Sequence, residues 1–262
     1  MELKNASVLL TGASTGIGAA TARALGAAGA RVGIVARRKE LLEKVAAEAA
    51  EAGAAEVKVY AQDLGDLPAT DQLAQQAWQD FGGLDALVNN AAVPARRHVK
   101  RLDTDELEMV MRINFLAPCH LILGLLPKML DAGHGTIVNV ASTGGRLGIL
   151  RESAYCASKF ALSGFSEVLY ADLKRDPINI HLVQPGPIET PIWDVDDNEP
   201  PLYHGPFYPP EVVADEIVAT LRGERGFEIY APDDYKGVAD WKNSDVQAYL
   251  DMTSQLDLNE AS

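Results

Sequence analysis

Short apolar runs alternate with longer stretches of helical period along the first two thirds of the chain. Ser7–Leu10, Arg31–Ala36, Val57–Ala61, Ala86–Asn89, Thr136–Val140 and Ile178–Gln184 are apolar or β-branched and too short for helices. Between them lie the alanine-rich stretch Gly16–Ala28 and the helical patterns Lys39–Glu51, Ala69–Phe81, Asp105–Leu130 and Ser153–Arg175. Strand and helix in strict alternation predict an α/β fold in three layers, a doubly wound parallel sheet covered by helices on both faces. The one break is Pro185–Pro210, where eight prolines and the acids Asp194, Asp196, Asp197 and Glu199 predict an irregular, mobile loop.

Charge sharpens this division. The 262 residues carry 23 Lys and Arg against 37 Asp and Glu, a formal net charge of −14. Residues 194–262 hold 4 of the bases and 16 of the acids, so nearly all of the excess lies there. Residues 1–193 therefore read as the chemical body, and 194–262 as a substrate loop and acidic segment of the same domain, facing the surface or another subunit. A basic footprint for nucleic acid is absent from this balance. Cys119 and Cys156 are the only cysteines, with no spacing for a disulfide framework or zinc, and the five histidines show no metal-ligand spacing. Residues 1–10 lack the apolar length of a signal peptide, and Phe115–Leu126 is short of the ~20 residues that span a bilayer. A cytoplasmic protein without a membrane span is expected.

The first strand runs into Thr11-Gly12-Ala13-Ser14-Thr15-Gly16-Ile17-Gly18 and then a helix. In that context Gly12 permits the tight turn, Gly16 lets backbone approach a pyrophosphate, and Gly18 lets helix and strand pack. The helix N-terminus offers N–H groups to phosphates.

The chain resembles the single-domain branch of the short-chain dehydrogenase/reductase family over about Leu3 to Thr190. The resemblance rests on Thr11–Gly18, Asp63, Asn89-Asn90-Ala91-Ala92, Asn114, Ser142, Tyr155-Cys156-Ala157-Ser158-Lys159 and Pro185–Thr190, in matching order and spacing. It implies a single-domain Rossmann-type sheet of about seven strands and a homodimer or homotetramer pairing through Asp105–Leu130 and Ser153–Arg175. It implies that Gly12, Ser14, Thr15, Gly16, Ile17 and Gly18 cradle the dinucleotide and that Asp63 and the backbone at Leu64 hold adenine. Asn90 would line the crevice, and Pro185, Gly186, Ile188 and Thr190 would flank the nicotinamide. Ala92 departs from the family's usual glycine.

Tyr155 and Lys159 stand four apart in a helical pattern and so share a face. A cation fixed near a phenol can lower its pKa by ~1–3 units, from ~10 towards neutrality, where it can exchange a proton with a ketone or an alcohol. The resemblance adds that Lys159 reaches the nicotinamide ribose, that Ser142 holds the substrate oxygen, and that Asn114 holds a proton-relaying water. Asn114, mid-helix, has no propensity reason to be there.

After the second strand an acid would select NAD and a base NADP. Arg37 and Arg38 stand there, and Ser14 can add a hydroxyl, so NADP(H) is favoured over NAD(H). The expected function is interconversion of a ketone or aldehyde and an alcohol. The alternatives are an NAD-dependent alcohol dehydrogenase of the same family, an epimerase or dehydratase of its longer branch, and a dinucleotide sensor without catalysis. The basic run Arg96, Arg97, His98, Lys100 and Arg101 is expected to solvate a loop, attract an anionic substrate, or dock the acidic tail after Tyr249.

Overall fold

The computed structural model describes residues 1–256. The chain runs β1 (Ser7–Thr11), α1 (Gly16–Ala27), β2 (Arg31–Ala36), α2 (Lys39–Ala52), β3 (Glu56–Ala61), α3 (Leu67–Phe81) and β4 (Ala86–Asn89). It continues through α4 (Thr104–Met111), α5 (Ala117–Ala132), β5 (Gly135–Val140), α6 (Ser153–Asp172) and β6 (Ile178–Pro185). The last elements are α7 (Pro210–Leu221), β7 (Glu228–Ala231), α8 (Tyr235–Ser244) and α9 (Val246–Ser254). The seven strands form one parallel sheet in the order β3-β2-β1-β4-β5-β6-β7.

Alternation along each strand sends side chains to opposite faces and builds two cores. Val8 and Leu10 join Val32, Ile34, Leu42, Val45, Val138, Val213 and Ile217 in the layer under α1, α2 and α7. Leu9 joins Val35, Leu73, Phe81, Leu121, Leu125, Ile137 and Leu169 in the layer under α3, α5 and α6. The strand order reverses between β1 and β4, where the ends of both strands open a crevice of the kind that binds ligands in open α/β sheets.

Three expectations change. The predicted helix 105–130 is continuous but carries a π turn at Arg112–Leu116, where the Ala117 N–H donates to the Arg112 carbonyl five residues back. Pro118 follows it and has no N–H to return to Asn114, so the wider turn absorbs the missing bond. Thr104–Ala132 is long and apolar enough, by length and composition only, to cross a membrane. Its inner side, with Leu121, Leu125 and Met129 wholly buried, packs in the second core, which accounts for that apolarity. Finally, the acidic segment is more than a surface elaboration, because α7 enters a core and β7 completes the sheet. Its last six residues, 257–262, lie outside the described residues.

Candidate active site

A cleft of about 600 Å³ opens over the carboxyl ends of the strands. At one end lie Gly12, Ser14, Thr15, Gly16, Ile17 and Gly18, with Arg37, Arg38, Asp63, Leu64 and Asn90. Gly12 has φ +68°, and a Cβ there would come within 2.6 Å of the Ala91 Cα. A Cβ on Gly18 would lie 2.2 Å from the Gly12 carbonyl oxygen. The loop thus closes only with glycines, leaving a hollow before the N-terminus of α1. Asn90 holds this hollow open, donating from Nδ2 to the carbonyls of Thr11 (3.0 Å) and Gly12 (3.3 Å). The Thr11 hydroxyl accepts from the Asn90 and Ala91 N–H groups. Asp63 accepts the Gly65 N–H at 2.9 Å while facing the cleft.

Arg37 and Arg38 both line the cleft and both are exposed. Only Arg38 reaches the glycine loop: its Nη2 donates to Ser14 Oγ (3.3 Å) and Thr15 Oγ1 (3.4 Å). A guanidinium beside two hydroxyls and free helix N–H groups suits a phosphate-bearing dinucleotide, so the residues present fit such a cofactor.

Past this cradle stand Ser142, Tyr155 and Lys159, on the loop after β5 and on α6. Tyr155 is hydrogen-bonded by the Ser142 side chain. The Ser142 hydroxyl also accepts the Gly144 N–H at 3.1 Å. Lys159 is 2% exposed; its Nζ donates to the Val140 carbonyl at 3.0 Å and lies 5.7 Å from the Tyr155 ring centre. Burial pulls its pKa down to about 7. The expected lowering of the Tyr155 pKa is not found in the ligand-free chain. Burial, with Glu152 nearby, pushes the phenol above its ordinary value and outweighs the Ser142 hydrogen bond. Desolvation disfavours both the phenolate and the ammonium, so the phenol keeps its proton while the lysine exchanges its own near neutrality.

Pro185, Gly186, Ile188 and Thr190 line the same wall. Thr190 closes over the cradle, where a Cβ on Gly16 (φ +54°) would meet its Cγ2 at 2.8 Å. Asn114 does not line the cleft. It is wholly buried in the π turn, its Oδ1 accepting the Val93 N–H (2.8 Å) and its Nδ2 donating to the Val93 carbonyl (3.0 Å) and Ser158 Oγ (3.1 Å). It therefore ties the strand that leaves β4 to the helix bearing Tyr155.

The far half of the cleft is apolar, with Leu147, Ile149, Trp193, Leu202, Tyr203 and, from the last helices, Tyr235, Val238 and Tyr249. Nothing in the local pattern of the acidic segment marks these residues. Glu152 was missed too; it lines the cleft from the N-cap of α6, three residues before Tyr155.

Among the described residues the basic run docks the proline-rich loop; the tail expected as its other partner runs into residues 257–262, which lie outside them. Arg96, 3% exposed, donates from Nε to the Glu199 carbonyl and from Nη2 to the Trp193 carbonyl, both at 2.8 Å. Glu199 gathers Arg101, Arg151 and the His98 N–H, and Arg97 bonds Glu106 and the Asp197 carbonyl. The loop expected to be mobile is thus pinned, with a 3₁₀ turn at Pro191–Trp193.

A family model described as short chain dehydrogenase matches residues 6–200. The fatty acyl-CoA reductase of Acinetobacter baylyi is 38% identical over 193 residues, 73% of this chain and 65% of the relative. The chain thus spans just under two thirds of that relative's length. A solved metagenomic short-chain oxidoreductase in complex with NADP has a TM-score of 0.75 at 29% identity, covering 88% of this chain and 98% of that one. A short chain dehydrogenase/reductase from Burkholderia phymatum in complex with NAD has a TM-score of 0.84 at 23% identity, covering 95% and 96%. That last likeness is one of fold.

Proposed function

The chain belongs to the short-chain dehydrogenase/reductase family, and on that premise we propose that it is an NADP(H)-dependent oxidoreductase interconverting a ketone or aldehyde and an alcohol. The observation that carries this reading is the grouping of Ser142, Tyr155 and Lys159 in one cleft with a glycine cradle whose turn has no room for side chains.

When bound, the nicotinamide supplies or accepts a hydride at the carbonyl carbon. In the reductive direction the Tyr155 hydroxyl gives its proton to the carbonyl oxygen as the second C–O bond is lost, which leaves an alcohol and a phenolate. Ser142 supports that oxygen beside Tyr155. A neutral phenol is the form a proton donor needs, and Lys159, poised at about 7, gains charge readily when negative charge develops next to it. Asn114 acts through its bonds to Val93 and Ser158, which place α6 against the cleft.

NADP(H) is favoured over NAD(H) because Arg37 and Arg38 line the cradle, Arg38 beside Ser14. The apolar far wall suits a small molecule with an apolar body. Residues 1–193 supply the cradle and the proton-transfer groups, and the segment from 194 supplies most of the substrate wall. A second copy of the chain would cover Leu123, 60% exposed on α5, and Phe160 and Val168 on α6, giving a homodimer or a homotetramer. A cytoplasmic location accords with this picture.

The test is NADPH oxidation followed at its absorbance across a carbonyl panel, with Tyr155→Phe in parallel. Turnover lost in the variant supports the reading. NADPH binding without turnover of any carbonyl would replace it with a dinucleotide sensor.

A further inference from the structure

Glu152 sits in the substrate half of the cleft, 8% exposed, at the N-cap of α6. Its side chain makes no cap hydrogen bond to the first turn of the helix. Among the described residues no hydrogen bond to its carboxyl is found, and the buried charge that acts on it is the Arg96 guanidinium. Arg96 does so by field, since its Nε and Nη2 are committed to the carbonyls of Glu199 and Trp193. The carboxyl, largely out of water, therefore keeps its accepting oxygens for what enters the cleft that it lines. Ile149, Leu202 and Tyr249 line the same cleft and give it an apolar body.

Resting on the oxidoreductase reading above, we propose that Glu152 selects the substrate, its carboxyl accepting a hydroxyl carried a few bonds from the reacting carbon. Three residues before Tyr155 in the chain, it lines the same cleft and is close enough for its charge to act on the phenol. The preferred substrates are hydroxyketones, and in the oxidative direction diols, with an apolar body. A neutral hydroxyl fits better than an ammonium group, because the Arg96 charge behind Glu152 repels a second cation. Burial holds the Glu152 carboxyl up at about 7, with Arg96 drawing it back down, so near neutrality it can accept from a hydroxyl in either protonation state. The groups facing it are Arg96 from the loop after β4, and Tyr155 and Cys156 from its own helix.

The experiment measures kcat/KM for matched pairs, an α-hydroxyketone and the same ketone without the hydroxyl, in aliphatic and aryl forms, with NADPH and NADH both supplied. Wild type is expected to favour the hydroxyketone by about ten- to a hundredfold, the worth of a hydrogen bond to a charged group. Glu152→Leu and Glu152→Ser should bring the ratio to within about twofold of unity, and Glu152→Gln, whose amide oxygen still accepts, should keep much of it. The ratio is internally controlled, since partial misfolding lowers both members alike, and two truncations guard against one failing to fold. An equal ratio in wild type and both truncations overturns the proposal and leaves the oxidoreductase reading standing. Absence of cofactor-dependent turnover for every pair overturns that reading, and the proposal with it.

Discussion

The Lys159 ammonium nitrogen lies 5.7 Å from the centre of the Tyr155 ring, one turn along α6, and is anchored at 3.0 Å on the Val140 carbonyl. Both groups are out of water, which disfavours the charged form of each and couples the acid to whatever charge enters the cleft. Tyr155→Phe should therefore lower kcat at least a thousandfold while NADPH binding stays within about threefold, because the ring still packs. Lys159→Ala should harm both. Single-turnover kinetics and fluorescence titration of NADPH check this, and a Tyr155→Phe enzyme keeping a tenth of wild-type kcat would remove the assigned proton donor.

Lys159 and Glu152 should bend the pH dependence of stability in opposite senses. The Lys159 pKa falls from 10.5 to about 7 on folding, so between those values the unfolded chain holds a proton that the folded chain lacks. Its contribution to stability rises with pH across that window. Glu152 rises from 4.5 to about 7, so there the folded chain holds the extra proton, and its contribution falls as pH rises from 4.5 to 7. Calorimetry of the ligand-free chain should show wild type gaining on Lys159→Met above pH 7 and losing ground to Glu152→Gln below it. Differences that stay flat over both windows would refute the two shifts.

Arg38, bonded to Ser14 and Thr15, and Arg37 beside it are expected to hold the 2′-phosphate. Each Arg→Ala change should weaken NADPH by roughly ten- to a hundredfold and leave NADH within about twofold, since a hydrogen bond to a charged group contributes ~1.5–3 kcal/mol. The preference should shrink with salt, because both guanidinium groups are exposed. A wild type that uses NADH better at every ionic strength would overturn the cofactor assignment alone.

Glu199 pins the proline-rich loop through Arg101, Arg151 and the His98 N–H. Glu199→Ala should destabilise the chain by about 1.5–3 kcal/mol and speed protease cleavage within 194–208. Melting curves and mass mapping of the first cleavage read both effects. Cleavage at the wild-type rate would mean that Arg96 and Arg97 hold the loop without Glu199.

Much of this architecture is legible along the chain. The runs at Arg31–Ala36 and Ala86–Asn89 match their strands residue for residue, because a strand buried on both faces needs an unbroken apolar run. The glycine cradle is equally plain, since Gly12, Gly16 and Gly18 answer to steric limits within a few residues of one another. Asn114 shows the opposite case. Its oddity inside a helix is visible in sequence, but its partner Val93 is 21 residues away and reaches it only through the fold.

What the sequence determined by itself is therefore most of the elements from β1 to β6 and the face that side chains take within them, including Tyr155 and Lys159 on one side of α6. Those follow from backbone geometry, whose periods of 2 and 3.6 act within a single element. Only the tertiary structure decided that the basic run clasps Glu199, that Arg38 and not Arg37 touches the glycine loop, and that α8 and α9 bring Tyr235, Val238 and Tyr249 to the cleft. It also set Glu152 in an apolar wall without a donor. Each of these depends on packing between segments far apart in the chain, where burial, and not local spacing, assigns a side chain its partner.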